Sequence, residues 1–138
     1  MVNKENVTLR FSGHHKLKKA TDFSSVFKKA SVRQSEDSIL LLGKLSDQPI
    51  NRLGMVIAKK NIPRAVDRNK IKRVMREVFR NHSSFPTDTC LDIVLLVRGK
   101  IPRDNAGSLY QKLEVQLKKL LKKANAVQER DANAQTSN

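Results

Sequence analysis

The stretch from Lys59 to Arg80, KKNIPRAVDRNKIKRVMREVFR, concentrates positive charge on one predicted helix and on the turn before it. It holds nine Lys or Arg residues against two acids, a net charge of +7 out of +15 for the whole 138-residue chain. Such a charge density attracts a polyanion, because each phosphate that Lys or Arg neutralises releases condensed counterions. The stretch therefore predicts an RNA-binding surface.

Apolar residues in the same stretch recur at helical spacing and predict a helix that starts near Val66 or Asp67. Its core stripe consists of Ile71, Val74, Met75, Val78 and Phe79. At about 100° per residue, the opposite side carries Asn69, Lys72, Arg73, Arg76 and Arg80. The charges thus lie on one face of a folded element.

The flanking sequence predicts a small α+β domain. Thr21 could cap a helix whose one face carries Phe23, Val26, Phe27 and Ala30. Two short strands follow, over 39–42 and 53–58, and we expect them to pair antiparallel. After the basic helix come a strongly apolar strand over 91–97 and a last helix. The inner face of that helix holds Leu109, Leu113, Leu117, Leu120 and Leu121.

Composition and length predict one domain with flanking polar segments. We expect a basic N-terminal arm over 1–20, a single RNA-binding α+β domain over 21–123, and a polar, disordered tail over 124–138. The pI near 10.4 points to nucleic acid or an anionic membrane as partner. No apolar run approaches the ~20 residues that span a bilayer, and the N-terminus lacks the apolar region of a secretory signal. We therefore expect no membrane partner.

The residue types that usually carry protein catalysis or metal binding are sparse. The single cysteine, Cys90, rules out a disulfide framework and favours the reducing cytoplasm. His14, His15 and His82 lack the carboxylate or Cys partners of a metal site. The acids are scattered, so no carboxylate pair suits a two-metal platform. We expect no catalytic residue and no metal site on the protein, which argues against a protein nuclease.

The stretch from Arg52 to Arg80 resembles the protein component of bacterial ribonuclease P. The strand RLGMVIAKK ends in two lysines, as in that family, and a short break follows it. The helix then carries the family's Arg-Asn-Arg box, here Arg68-Asn69-Lys70-Ile71-Lys72-Arg73. The pair Phe23-x-x-x-Phe27 also matches the family's first helix, and the resemblance covers roughly residues 15 to 123. Lys70 stands where the family usually has Arg. Lysine keeps the positive charge but lacks the planar guanidinium that can bind two phosphate oxygens at once.

The resemblance implies a fold: a small, mainly antiparallel sheet with three helices, resembling ribosomal protein S5 domain 2. It also implies a left-handed βαβ crossover around the basic helix, whereas general rules favour a right-handed one. The implied activity is magnesium-dependent removal of the 5′ leader from precursor tRNA by a ribonucleoprotein whose RNA performs the chemistry. The implied partners are that catalytic RNA and precursor tRNA, with no obligate protein partner. Mg²⁺ belongs to the holoenzyme, and the protein alone holds no cofactor.

The resemblance assigns two sets of binding residues. Those expected to contact the catalytic RNA are Arg64, Arg68, Asn69, Lys70, Lys72, Arg73, Arg76 and Arg80. Those expected to contact the leader are Phe23, Phe27, Lys59 and Lys60. Unstacked bases can stack on aromatic rings, but the periodicity of Phe23 and Phe27 equally favours core positions, so both interpretations stay open.

Two other functions fit the composition. A ribosomal or general RNA-folding protein would share the charge and have no link to hydrolysis, and only the two lysines, the box and the Phe pair distinguish the two functions. A DNA-binding helix could use Asn and Arg in the major groove. That function is less favoured, because no short helix and turn precede the basic helix.

Overall fold

The computed structural model describes residues 16–46, 50–82, 90–103 and 105–136, with side chains as far as Val127. Within these residues, three helices and four strands follow one another. They are α1 (Ala20–Lys29), β1 (Val32–Glu36), β2 (Ile39–Leu45), β3 (Arg52–Ile57), α2 (Ala65–His82), β4 (Leu91–Val97) and α3 (Ala106–Thr136). The predicted α+β class with three helices is confirmed.

The four strands form one sheet in the order β1-β2-β4-β3. The β1–β2 and β2–β4 pairs are antiparallel, and the β3–β4 pair is parallel, so the sheet is mostly antiparallel. The β1–β2 hairpin turns at Asp37, whose φ of 52° lies in the left-handed region that Asp tolerates better than most residues.

The expected antiparallel pairing of the strands at 39–42 and 53–58 is wrong, because β4 lies between them. Five of the seven residues of β4 are apolar and buried, on both faces of the sheet. A strand of that kind needs neighbours on both sides and cover on both faces. The chain reaches the far side of β4 through α2, which makes β3–α2–β4 a parallel βαβ unit. The left-handed sense implied by the resemblance stays an expectation.

Helices α2 and α3 cover one face of the sheet and enclose the larger core. The five residues of the predicted α2 stripe are buried, as are the five predicted leucines of α3. Buried Gln34 donates to Gln116 Oε1 at 2.8 Å and attaches β1 to α3. Strand β1 is mostly polar and its sequence shows no apolar alternation. The hydrogen bond between Gln34 and Gln116 helps to explain how it nevertheless joins the sheet.

Helix α1 covers part of the other face and encloses a smaller core. Val26 is fully buried there against Leu42 and Val94, and Phe23 packs at its edge. The Phe23 ring lies over Gly54: a Cβ atom added to that glycine would lie 2.5 Å from the ring. The absence of a side chain at Gly54 therefore permits the close approach of α1 to β3.

A buried ion pair joins β3 to β4 beneath α1. Arg52 donates to both carboxylate oxygens of Asp92, at 2.8 and 2.7 Å, and the Asp92 side chain is only 3% exposed. The second amino nitrogen of Arg52 lies 3.9 Å from an Asp22 carboxylate oxygen on α1. Burial of Asp92 requires such a partner, since a buried carboxylate without one is strongly destabilising.

Contacts between α2 and α3 fix the orientation of α2 about its axis. Asn81 donates to the Tyr110 hydroxyl at 2.7 Å, and His82 Nε2 lies 2.9 Å from a Glu114 carboxylate oxygen. The hydrogen bond to His82 is the main cause that lowers the pKa of Glu114 below its usual value, against a smaller opposing effect of burial. These pairs lie on one flank of α2.

The structure describes part of each of the two flanking segments. Leu17, in the predicted N-terminal arm, is buried, and its N–H donates to the Leu53 carbonyl oxygen at 3.0 Å. Residues 1–15 of that arm lie outside the described residues. The segment for which composition predicts disorder instead continues α3 to Thr136. Ala124 is buried and Val127 packs on the larger core, so the start of this segment has tertiary support.

We predict that Gly54→Ala destabilises the fold by about 1–3 kcal/mol, because the added methyl group forces the Phe23 ring out of its position. Thermal or urea unfolding would measure the change. Gly107→Ala is the matched control: its nearest neighbour atom lies at 3.4 Å in the first turn of α3, where Ala is the better helix former. Equal stability of the Gly54→Ala and native proteins would contradict the proposed packing.

Candidate nucleic-acid interface

The outer side of α2 carries the basic residues that the helical pattern predicted. Asn69 and Arg73 are exposed, and Lys72, Arg76 and Arg80 are half-buried. We call these five residues the box face. Arg80 also pairs with Glu77, one turn earlier on the same helix. The guanidinium Nε atoms of Arg76 and Arg80 are buried, so these two side chains are partly covered by the protein.

The α3-facing flank of α2 and the opposite flank differ in charge. Asp67 and Asn81 lie on the flank toward α3, where Asp67 pairs with Arg103 at 3.2 Å. Arg68, Lys72 and Arg76, spaced by four residues, form a row on the flank away from α3. The box face and this row together make a continuous cationic surface, to which a phosphate backbone could bind.

Arg68, the first residue of the box, has a structural contact that the sequence did not reveal. Its Nη1 donates to the carbonyl oxygens of Ile62 and Pro63, at 2.9 and 2.8 Å. These carbonyls belong to the turn between β3 and α2, so the guanidinium holds that turn against the first helical turn. Arg68 therefore holds the turn that precedes α2 in position.

Two other residues of the predicted set lie away from the box face. Lys70 lies on the α3-facing flank, beside a cavity that Asp67 and Lys112 also line. Arg64 precedes α2 and lines the same cavity. The eight predicted residues thus occupy two neighbouring surfaces.

A groove lies on the opposite face of the sheet, beside α1. Leu40, Leu96 and Val56 form one row across β2, β4 and β3 in the strand register. Leu40 is buried, whereas Leu96 and Val56 are only half-buried and pack at the edge of the smaller core. Helix α1 has ten residues and leaves this row partly open to solvent. The row forms an apolar floor of the groove.

The structure separates the two aromatic residues of α1. Phe23 is half-buried over Gly54, while the Phe27 side chain is 45% exposed. The core interpretation therefore fits Phe23 in part and does not fit Phe27. An exposed ring on the helix that borders the groove offers a stacking surface for a base.

Lys59 and Lys60 are exposed and lie in the turn that follows β3, beginning two residues after the strand end at Ile57. The Ala58 carbonyl accepts from the N–H groups of Asn61 and Ile62, at 3.1 and 3.0 Å, and closes that turn. Asn61 Nδ2 also donates to the Val97 carbonyl oxygen at 3.0 Å, which holds the turn at the end of β4. Both lysines are thus attached to the sheet at the end of the parallel strand pair.

Arg98 is a residue that the sequence prediction missed. It is exposed, follows β4 directly, and donates to Ser35 Oγ on β1. Its N–H donates to the Ser38 carbonyl oxygen at 2.7 Å. Strand alternation could have found it, since Leu96 and Arg98 fall on the same face and Val97 on the other. Arg98 adds a cation at the end of the groove where β3 and β4 stop.

The remaining reactive groups of the described residues do not gather into a site. Burial is the main cause that raises the pKa of the Cys90 thiol, and the nearby Asp92 carboxylate raises it further. Within 16–46, 50–82, 90–103 and 105–136, no three His, Cys, Asp or Glu side chains meet as a metal site. In the same ranges, no helix combines the length and the apolar composition needed to cross a bilayer. His14 and His15 lie outside the described residues.

Comparison with known proteins gives a consistent family assignment. The family model Ribonuclease P matches residues 11–125. The ribonuclease P protein component of Marinomonas sp. is 39% identical over 114 residues, covering 83% of this chain and 85% of that protein. The corresponding protein of Acinetobacter baylyi is 37% identical over 118 residues, covering 86% of this chain and 88% of its own.

Solved structures agree with the sequence relatives. The RNase P protein from Thermotoga maritima aligns with a TM-score of 0.61 and 28% identity, covering 76% of this chain and 94% of that one. The RNase P protein of Staphylococcus aureus aligns with a TM-score of 0.59 and 28% identity, covering 80% and 94%.

We predict that Arg68→Ala destabilises the protein by about 1–2 kcal/mol, because two carbonyl oxygens are left without their charged donor. Amide hydrogen exchange should become faster over residues 61–68, and unfolding should measure the decrease in stability. Arg73→Ala, which removes an exposed Arg from the same helix, should change stability by no more than about 0.5 kcal/mol. Equal effects of the two substitutions would show that Arg68 does not hold the turn.

Proposed function

The chain belongs to the ribonuclease P protein family, and we propose that it binds both RNA molecules in that enzyme's reaction. These are the catalytic RNA and the 5′ leader of precursor tRNA, during magnesium-dependent endonucleolytic removal of the leader in the cytoplasm. Family membership makes the chain a component of a tRNA-processing endoribonuclease.

The box face is the observation that supports binding of the catalytic RNA most directly. The apolar stripe of α2 is buried, Asn69 and Arg73 on the other side are exposed, and contacts with α3 fix the orientation of the helix. Lys and Arg held on a rigid element lose little entropy on binding phosphates, and each phosphate bound releases counterions. Asn69, exposed among these cations, can add a hydrogen bond to a phosphate or a base edge.

The groove supports binding of a single-stranded leader. Phe27 offers an exposed ring, Leu96 and Val56 an apolar floor, and Lys59 and Lys60 cations at one end. Proteins that bind single strands combine basic grooves with aromatic stacking platforms in this way. We propose that a leader base stacks on Phe27 while leader phosphates lie near the two lysines.

The two surfaces lie on opposite faces of the sheet. The box face belongs to α2, in the layer that covers the larger core, and the groove lies beside α1 on the other face. One protein molecule can therefore contact the catalytic RNA and the leader at the same time. This arrangement suits a subunit that joins the substrate to the RNA enzyme.

Among the described residues, the carboxylates of Asp92, Asp67 and Glu114 do not suit a magnesium site. Mg²⁺ prefers several oxygen ligands in octahedral geometry, but Asp92, Asp67 and Glu114 each engage a cationic or imidazole partner. We propose that the catalytic RNA holds the Mg²⁺ ions and performs the hydrolysis. The protein contributes binding and orientation of the two RNA molecules.

Cleavage at low magnesium tests the proposed function. Ribonuclease P RNA and a precursor tRNA are incubated at a magnesium concentration too low for the RNA alone, with and without the full chain. Cleavage at the mature 5′ end only when the protein is present would support the proposal. Tight RNA binding without rescue would favour the alternative, a ribosomal or general RNA-folding protein.

We predict that Lys72→Gln combined with Arg73→Gln weakens binding of the catalytic RNA. The slope of log affinity against log salt should fall by about 0.7 to 0.9 for each phosphate that the protein no longer neutralises. Filter binding at several salt concentrations measures both quantities. Lys118→Gln combined with Lys122→Gln removes the same charge from exposed positions of α3 and is the control. An unchanged salt slope for the Lys72→Gln, Arg73→Gln protein would show that the box face does not contact the catalytic RNA.

We predict that Phe27→Ala weakens binding of precursor tRNA to the holoenzyme by about 1–3 kcal/mol, the worth of one stacked base. Binding of mature tRNA, which lacks the leader, should be unaffected. Val115→Ala is the matched control, since Val115 is 46% exposed on α3 and lies outside the groove. Equal weakening for precursor and mature tRNA would contradict the stacking role, and an unfolding curve would show whether Phe27→Ala remains folded.

A further inference from the structure

A second basic site lies between α2, the start of α3 and the loop that precedes α3. It is a cavity of about 410 Å³, outside both the groove and the box face. We propose that this cavity binds one unpaired nucleotide of the catalytic RNA, with its phosphate at a cationic rim and its base on an apolar floor. The inference rests on the proposed function only in naming the RNA that supplies the nucleotide.

The rim of the cavity is strongly cationic. Among the described residues, five basic side chains from four segments line it: Arg64, Lys70, Lys100, Arg103 and Lys112. Asp67, the carboxylate among these described lining residues, accepts from Arg103 at 3.2 and 3.3 Å. Cations that converge from separate segments create a local positive potential that favours an anion such as a phosphodiester.

The floor of the cavity is apolar. Ile62, Ile71 and Leu109 are buried beneath it, and Ile101 is half-buried at its side. An inorganic anion would gain nothing from such a floor, whereas the face of a nucleobase would bury apolar surface on it. The volume lies within the range of about 300–1,000 Å³ that is usual for small-molecule sites. A cationic rim over an apolar floor thus matches the two halves of a nucleotide.

Hydrogen bonds hold the walls of the cavity in place. Arg68 donates to the carbonyls of Ile62 and Pro63, and Asn61 donates to Val97 at 3.0 Å. On the other wall, Ser38 Oγ donates to the Lys100 carbonyl oxygen at 2.9 Å. Walls held in this way need little reorganisation on binding, which reduces the entropic cost.

The position of the cavity favours a nucleotide that belongs to an RNA already bound at α2. Lys70 and Arg64 lie within the sequence of the basic stretch but line the cavity, so one RNA molecule bound to the box face could extend into it. The nucleotide must be unpaired, because a base within a duplex is stacked and cannot turn its face to the protein.

Methyl NMR of the full chain tests the nucleotide specificity. The probe is single-stranded pentauridylate, and the control is an abasic ribose-phosphate pentamer with the same number of phosphates. We expect pentauridylate to shift the methyl resonances of Ile62, Ile71 and Ile101, and the abasic pentamer to leave them nearly unchanged. Equal shifts with both pentamers would show a general anion site that does not recognise the base, and no shift with either would show no site. Either outcome would overturn the proposal.

Binding of the catalytic RNA tests the role of the cavity in the complex. Lys112→Gln should weaken binding by about three- to tenfold and lower the salt slope by about 0.7, as expected when one phosphate is no longer neutralised. Lys122→Gln removes the same charge from an exposed position of α3 outside the cavity and should have a smaller effect. Equal effects of the two substitutions would show that only net charge matters and would overturn the inference.

The cleavage assay separates this inference from the proposed function. If the native chain restores cleavage at low magnesium while the cavity tests fail, the cavity inference falls and the proposed function stands. If pentauridylate shifts the cavity methyls while the chain fails to restore cleavage, the cavity binds RNA and the proposed function falls.

Discussion

The pairing of β4 on both sides is the constraint on which the rest of this structure depends. Five of its seven residues are apolar and buried, so the strand must lie inside the sheet with cover on both faces. Because β2 takes one side, β3 must take the other, and the connection between β3 and β4 must cross one face as α2. The smaller core on the remaining face then requires α1. The placement of both candidate RNA-binding surfaces follows from this one strand.

Helix α2 can concentrate positive charge because other interactions determine its orientation. Its apolar stripe is buried, one flank is joined to α3 through Asn81 and His82, and Arg68 holds the turn before it. Repulsion among the remaining cations costs stability in the free protein. A polyanion that binds to α2 neutralises these cations and removes their repulsion, which favours the bound state over the free protein.

The groove depends on a mismatch in size between a short helix and a four-stranded sheet. The glycine at position 54 lets Phe23 pack closely on β3, and α1 is held there by its contacts with β2 and β4. The next row of the sheet stays only partly covered, and Phe27 on α1 is exposed. Any side chain at position 54 would displace the Phe23 ring and so change both the smaller core and the groove. Gly54 therefore matters for the packing of α1 and for the shape of the groove.

The sequence by itself determined the basic helix, its buried stripe and the presence of an apolar third strand, because these are periodic patterns within a single element. It also determined the family, through the box and the Phe pair. Only the tertiary structure decided that β4 separates β2 from β3, that Arg52 pairs with Asp92 forty residues later, and that Arg68 holds a turn. It also decided that Phe27 is exposed while Phe23 is not, and that Lys70 belongs to a cavity away from the box face. The reason is physical: periodicity tells which side of an element is buried, whereas strand order and side-chain partners depend on contacts between residues far apart in the chain.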